Sequence, residues 1–458
     1  MKKMAALALA MIMGLSVSGC GAKEVKPVPE TTSGGEAATA ADQKTEEGTK
    51  TASDEKVELS VMHFFVEGDG RYELGKETFR KFKEAHPNIS IAEEAIAHDL
   101  YVTKVQTLGV TNDLPDVFLM KGAWTEDFVN AGTIQPLNDI LDKDPEWRDN
   151  FSEGALANHI YDGKIYSLPF TVDLNALMYY NEKMFTDNNI KVPETYGEFL
   201  TMCKQFNDVG IIPMALGNKD QWLVPTASLS CWVALKGGPD YMNQLCFQDA
   251  KYTEAPYVDT LRVLKELVDA KAFNSDFNSI DNYQMYAVAG NGEAASFIAG
   301  SWGVQTYLDT ADPEVAASTK IMVLPAFEDG KGERGIVAGG SGWGWQINPK
   351  LEGAKRDAAI ELVKALTDKN FAKDAVELAS IVPAVTDYTY DESKVTPLFA
   401  QVLDIAKDAT LTPVFDQVLS TELSDIQNKT TQDVMAGGMT PEDAAAKVQE
   451  VKDRLAGK

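Results

Sequence analysis

Val57-Glu-Leu59-Ser-Val61-Met62-His63-Phe64-Phe65 is a strand-like apolar run, and the segments downstream of it decide the architecture. Glu67-Gly68-Asp69-Gly70 supplies a turn. Tyr72 to His86 then spaces Leu74, Phe79, Phe82 and Ala85 as a helix does, until Pro87 stops the pattern. Ile89 to Ile96 reads as a second strand, Tyr101 to Val110 as a second helix, and Asp116-Val117-Phe118-Leu119-Met120 as a short buried strand. Strand alternating with helix in this order predicts an α/β fold built on a parallel sheet with covering helices. Beyond Pro193 the balance shifts to helix. Tyr196–Asn207, Val258–Ala270 and Ala354–Thr367 carry amphipathic spacing, and Pro397 to Leu455 reads as nearly all helical. No internal repeat is visible.

Upstream of the run the chain changes character twice. Lys2 and Lys3 precede a mostly apolar stretch, Met4 to Val17, that is too short to span a bilayer and reads as an export signal. It ends in Val17-Ser18-Gly19-Cys20, which resembles a bacterial lipobox. That resemblance implies cleavage after residue 19 and a diacylglycerol-modified Cys20, an anchor of the two-chain kind that holds stably. Residues 20–56 are dominated by Thr, Ala, Glu, Gly and Lys, with no large apolar side chain between Val28 and Val57. Such a segment cannot bury enough surface to offset its ordering entropy, so it is expected to be a flexible tether.

The composition fits an exported, globular body. The formal net charge is −27, and losing Lys2 and Lys3 with the signal deepens it. So acidic a surface repels nucleic acid and anionic lipid headgroups, which excludes nucleic acid as a partner. Apart from the signal there is no apolar stretch long enough for a transmembrane helix. At 458 residues the chain has room for two or three domains. After Cys20 only Cys203, Cys231 and Cys246 remain; they form no CxxC and no metal constellation with the four histidines. A Cys231–Cys246 bridge is one reading, and buried free thiols are the preferred one. No cofactor and no metal are expected.

Asp162-Gly-Lys-Ile-Tyr166-Ser-Leu-Pro169-Phe-Thr-Val-Asp173-Leu-Asn-Ala-Leu-Met-Tyr179-Tyr-Asn181 resembles a segment of extracellular solute-binding proteins of the carbohydrate-uptake class, the group that includes maltodextrin-binding proteins. Collinear similar stretches run from Phe82–Ile89 through Leu114–Val117, Gly132–Leu137, Pro193–Phe199, Gly292–Ala295, Gly300–Gly303 and Gly342–Gly344 to the Ala354–Leu366 helix. The resemblance implies a two-lobed, periplasmic-binding-protein-like (type II) fold with C-terminal helices. Lobe 1 would comprise residues 57–171 and 326–385, and lobe 2 residues 172–325 and 386–458. Strands near Thr171–Ala176 and Pro325–Gly340 would cross between them. It further implies a sugar or oligosaccharide held in the interlobe cleft, delivery to the transmembrane permease subunits of an ABC importer, and a monomer tethered on the outer face of the membrane.

Sugar recognition requires aromatic faces for the C–H patches of pyranose rings and polar groups for their hydroxyls. Of the seven tryptophans, Trp302 in Gly300-Ser-Trp-Gly303, Trp222 after Asp220-Gln221, and Trp343 between glycines are the ligand candidates. Core packing is the competing role for each. Trp124, Trp147, Trp232 and Trp345 are assigned to packing. Glu67, Asp69 and Arg71 lie in the loop after the first strand, where open α/β sheets take their ligands. Asp173 falls in the first crossing, where the resemblance implies a sugar-contacting acid, and Asn175 competes for that position. For each acid, a solvated surface role is the alternative.

Catalytic signals are weak. Ala299-Gly-Ser301-Trp-Gly303 could pass for a nucleophile elbow, but that arrangement needs a later histidine, and His63, His86, His98 and His159 all precede it. Gly68-Asp-Gly70 lacks the third glycine of a dinucleotide fingerprint. Asp276-Phe-Asn278-Ser-Ile-Asp281 begins like a calcium loop but has Asp281 where glycine belongs and Ala287 where the bidentate glutamate belongs. A non-enzymatic binder is the preferred reading. A lipid-anchored glycoside hydrolase and a ligand sensor for a membrane histidine kinase remain alternatives.

Overall fold

The computed structural model describes residues 55–152 and 154–457. Cys20, the signal and all but the end of the tether lie outside them. The body contains two hydrophobic cores. One draws on residues 57–170 and 343–385, the other on residues 174–338 and 398–448 together with Val376. This is an α/β, two-lobed, periplasmic-binding-protein-like fold.

In the first lobe, β1 (Val57–His63), β2 (Ile89–Ala95) and β3 (Val117–Lys121) are mutually parallel, with β1 in the middle. The strand Trp343–Ile347 joins β3 antiparallel, and Leu168–Pro169 completes the five-stranded sheet. Helix α1 (Tyr72–Ala85) buries Leu74, Thr78, Phe79 and Phe82 at the spacing its sequence predicts. Helix α2 (His98–Thr111) buries Tyr101, Val105 and Gly109, four residues apart each time. It starts three residues earlier than its apolar pattern, so His98 and Asp99 form its first turn. β1 and β3 stay in register only from Val61 to Met62. Past that point the Tyr101 hydroxyl takes over, donating to the Leu119 carbonyl at 2.6 Å and accepting from the Leu119 amide at 2.9 Å.

The second lobe departs from the parallel expectation. Its central strand, Leu177–Asn181, is antiparallel both to Thr319–Val323 and to Ser296–Ala299. All three strands lie within one passage of the chain, residues 174–338, and antiparallel neighbours need no right-handed crossover helix. The helices Tyr196–Asp208, Ala255–Asp269 and Gly353–Ala365 form within a residue or three of their predicted ends. Cys203, Cys231 and Cys246 are free thiols, and burial pushes each up to about 12, where it is inert. No helix among the described residues is long and apolar enough to cross a membrane.

Two passages between the lobes lie side by side. Phe170 belongs to the first core and Leu174 to the second; Ala338 belongs to the second and Trp343 to the first. Between those points Asp173 pairs with Gly340 and Leu174 with Gly339, antiparallel. Phe327, Ile336, Val337 and Ala338, expected on the first-lobe side, pack in the second core. The C-terminal stretch also differs from its all-helical reading. Between the helices Pro397–Asp408 and Thr421–Met435 stands a strand, Thr410–Thr412, parallel to Ile336–Ala338. The β-branched Thr410 and Thr412 favour an extended chain, and Pro413 cannot continue a helix. A short turn, Phe415–Val418, comes next and carries Asp416 and Gln417 between the lobes.

Tyr101→Phe tests how β3 is held. The variant leaves the Leu119 amide buried without an acceptor, a loss of about 1–3 kcal/mol. Denaturant unfolding should give a lower midpoint with an unchanged slope.

Candidate functional site

A cavity with about 580 Å³ of empty space lies at the crossing, lined from both lobes. Arg71, His98, Lys121 and Trp343 face it from the first lobe; Trp222, Trp302, Tyr283 and Asp416 face it from the second; Asp173 and Asn175 come from the crossing strand itself. Thus six of the eight sequence candidates meet here: Arg71, Asp173, Asn175, Trp222, Trp302 and Trp343. Glu67 is exposed and does not line the cavity. Asp69 does not line it either, but it governs a residue that does.

That residue is Arg71. Its Nε donates to Asp69 Oδ1 at 2.7 Å and its Nη2 to Asp69 Oδ2 at 2.5 Å, a bidentate pair beneath the cavity. Burial alone would raise the Asp69 carboxyl, but the Arg71 guanidinium outweighs it and holds the carboxyl below its ordinary range. The Tyr283 hydroxyl, from the other lobe, donates to Asp69 Oδ2 at 3.1 Å. Beside it the Gly70 amide donates to Thr306 Oγ1 at 2.9 Å, a second bond between the lobes. Tyr283 reaches this point because Asp281 caps its helix: the carboxylate accepts from the Gln284 amide, and the Gln284 side chain accepts from the Asp281 amide. The segment that begins like a calcium loop is therefore a capping box. Among the described residues no group of metal-type side chains is gathered.

The aromatic side chains form an arc. Trp302 and Trp222 have ring centroids 6.3 Å apart, Trp222 and His98 5.4 Å, and His98 and Trp343 5.5 Å. A Cβ on Gly300 would fall 1.8 Å from the Trp302 ring, so glycine is what lets that indole fold back over its own turn. Ser301, in the failed nucleophile motif, is structural. Its hydroxyl accepts from the Leu174 amide at 3.2 Å and its amide donates to the Leu174 carbonyl at 2.8 Å, which clamps the turn to the crossing strand. Trp343 packs against Phe64, Tyr101 and Trp124 in edge contacts, with Lys121 Nζ 5.5 Å from its ring centroid. Trp124, Trp147, Trp232 and Trp345 are core residues, as their sequence context predicts.

Charges around the cavity are mostly matched. Lys121 Nζ lies 2.8 Å from Asp416 Oδ2 across the lobes. The Trp222 indole donates to Asp99 Oδ1 at 3.1 Å, and His98 Nδ1 lies 2.9 Å from the same oxygen. Asp220 sits close to Asp99; burial first, then the Asp99 charge, raises its carboxyl. Asp173 has no cation bonded to it. Thr171 Oγ1 donates to it at 3.1 Å, yet burial pushes it up to about 6, with the Arg71 charge only partly opposing. His98, Lys121, Tyr283, Asp416 and Gln417 escape the sequence reading. Lys121 could have been found, because it stands at the carboxyl end of β3, where the same sheet rule applies.

The model of the bacterial extracellular solute-binding protein family matches residues 77–401. An uncharacterised ABC transporter extracellular-binding protein of Pyrococcus horikoshii is 25% identical over 259 residues, 56% of this chain. The chain spans only 59% and 57% of the lengths of the first two curated relatives it matches. The diacetylchitobiose-binding protein of Streptomyces coelicolor is 25% identical over 356 residues, 75% of this chain and 77% of its own. A structure solved in work on xylan utilization by Caldanaerobius polysaccharolyticus superposes with a TM-score of 0.80 at 26% identity, covering 86% of this chain and 99% of that one.

Asp173 makes the site pH-dependent. Its folded pKa of about 6 stands above the ordinary 3.8, so its contribution to stability is present below the lower value and lost as pH rises through the upper. Asp173→Asn removes that loss. Unfolding free energy should rise by up to about 3 kcal/mol near neutral pH, with the gain vanishing toward about pH 4. Denaturant titrations of both forms across this range check the sign.

Proposed function

The chain belongs to the bacterial extracellular solute-binding protein family, and from that premise we propose that it is the substrate-binding subunit of an ABC importer, capturing a sugar or oligosaccharide in the interlobe cavity. The observation that carries this reading is the aromatic arc Trp302–Trp222–His98–Trp343 beside fixed polar groups from both lobes. Indoles offer flat apolar faces to pyranose C–H groups, while Arg71, Asp173, Asn175 and Lys121 offer donors and acceptors to hydroxyls. The family is one of solute binders rather than enzymes. Similarity to proteins named for diacetylchitobiose binding and xylan utilization supports a carbohydrate ligand.

The two moving bodies are the lobes that meet where the chain crosses near residues 171–173 and 339–342. Bonds such as Asp69–Tyr283, Gly70–Thr306 and Lys121–Asp416 join them in the closed form. An empty protein opens about the crossings, and a bound sugar adds its own contacts to both lobes and favours closure. The permease subunits receive the closed surface. Cys20 carries the lipid anchor, residues 21–56 form the tether, and the protein works as a monomer on the outer side of the membrane.

Thermal-shift titration with xylo-, chito- and malto-oligosaccharides tests the reading, because a ligand bound only by the folded state raises its melting temperature. Trp302→Ala should weaken the best ligand by about 2 kcal/mol or more, roughly thirtyfold in Kd, with a near-native melt. Asn175→Ala should cost less. No shift with any sugar of the three series would overturn the carbohydrate assignment. A large drop in melting temperature with retained affinity would make Trp302 a packing residue.

A further inference from the structure

Asp99 and Asp220 meet across the lobes, next to His98 and Trp222 in the cavity wall, although they carry the same charge. Asp99 stands in the first turn of α2 on the first lobe, and its Oδ1 accepts from the Trp222 indole of the second at 3.1 Å. Trp222 and Asp220 leave one tight turn: the Trp222 amide donates to the Asp220 carbonyl at 2.9 Å, with Gln221 between them at φ 68°. That turn is pinned to its own lobe. The Asn218 amide donates to the Phe277 carbonyl at 2.7 Å, the Lys219 amide to the Ile280 carbonyl at 3.1 Å, and Gln221 Nε2 to Gln432 Oε1 at 2.8 Å. The indole bond therefore brings the Asp220 carboxyl against Asp99, and the two carboxyl groups hydrogen-bond.

A hydrogen bond between two carboxyl groups needs a proton on one of them, because two carboxylates this close repel and neither can donate. The surroundings decide which one keeps it. Burial alone would raise Asp99, but the His98 ring at 2.9 Å and the Trp222 indole outweigh it and lower that carboxyl. Asp220 is the member that keeps the proton. Burial and then the Asp99 charge push it up to about 6; Lys219 partly opposes the rise, and Asp281, the cap of the helix Asn282–Gly290, adds to it. When the lobes part, α2 and the Asn218–Trp222 turn separate, and Asp220 loses the Asp99 charge and returns toward its ordinary 3.8. A group whose pKa is higher in the closed form takes up a proton on closing. The closed form therefore gains on the open one as pH falls through the upper value, and loses that gain as pH rises through it.

Resting on the reading of the lobes as two moving bodies, we infer that Asp99 and Asp220 form a proton-operated latch: one shared proton ties α2 to the Asn218–Trp222 turn, so the protein holds its ligand more tightly in acid than at neutral pH. Without that proton two carboxylates face each other across the lobes, and the open form is favoured.

Calorimetric titration with xylo-, chito- and malto-oligosaccharides at about pH 5 and about pH 7.5, in buffers of different ionisation enthalpy, compares the wild type with Asp220→Asn. Asp220 is half-buried, and asparagine keeps its size while giving Asp99 a donor that cannot ionise. Wild-type affinity should gain more from acidification than the variant's, by a factor of up to about ten, and binding near pH 6 should take up more protons. The variant should bind more tightly than the wild type at the higher pH. Asp173 and His98 are present in both proteins, so the difference between them belongs to Asp220. An equal pH dependence in the two proteins overturns the latch and leaves the carbohydrate reading standing. If no member of the three series binds, that reading falls, and small-angle scattering of the ligand-free proteins decides the latch. A wild type that becomes more compact on acidification, beside a variant equally compact at both pH values, supports it; identical responses overturn it.

Discussion

The rest of the molecule depends on a four-residue backbone pairing, Asp173 with Gly340 and Leu174 with Gly339. Here the chain passes from one hydrophobic core to the other and back, and the two passages run antiparallel in contact. A pair of adjacent extended strands resists shear along their hydrogen bonds but bends readily about an axis across them. That leaves the lobes few relative motions apart from opening. Glycine at 339 and 340 reflects this closeness, since a Cβ on Gly339 would sit 2.8 Å from the Asp173 carbonyl oxygen. Ser301 adds two hydrogen bonds to Leu174, so the Trp302 turn is anchored to the passage itself. The cavity therefore forms at the point in the fold where geometry is best defined.

Electrostatics around that point share one pattern with one exception. The buried cations are matched, Arg71 by Asp69 and Lys121 by Asp416. Pairing is the condition on which charges survive burial. Both basic side chains that line the cavity are thereby charge-compensated. Asp173 is the exception. Its burial without a bonded cation lifts its pKa toward neutrality, an energetic cost to the fold. Groups destabilised in the free state and relieved by a ligand's hydroxyls make binding stronger than contact area alone predicts, because the ligand repairs a deficit already present.

Bonds between the lobes at the cavity are polar: Asp69–Tyr283, Gly70–Thr306, Asp99–Trp222 and Lys121–Asp416. They sit among the residues that line the cavity or next to them. Such an interface is weak enough to open and specific enough to reclose in one register, as relative lobe motion requires.

Much of this is legible in the chain. Apolar spacing determines β1, α1, β2, α2 and β3 because local periodicity reports which face is buried, and the loop after β1 is recognisable as a site because parallel strands end there. Trp222, Trp302 and Trp343 stand out from their glycine-rich or loop context, Asp173 and Asn175 through the family resemblance, and the fold brings all five to one cavity. Long-range coincidence is beyond the reach of sequence. Nothing local distinguishes Asp69, which holds Arg71, from Glu67 two residues away, which is exposed to solvent. Asp416 and Gln417 read as part of a helical tail; only pairing of Thr410–Thr412 with Ile336–Ala338 turns that segment into the cleft. Tyr283 enters because a capping box far along the chain aims its helix at Asp69. Residue types and periodicity determine which elements exist. Which side chains meet depends on the packing of elements hundreds of residues apart, and that is decided only by the tertiary structure.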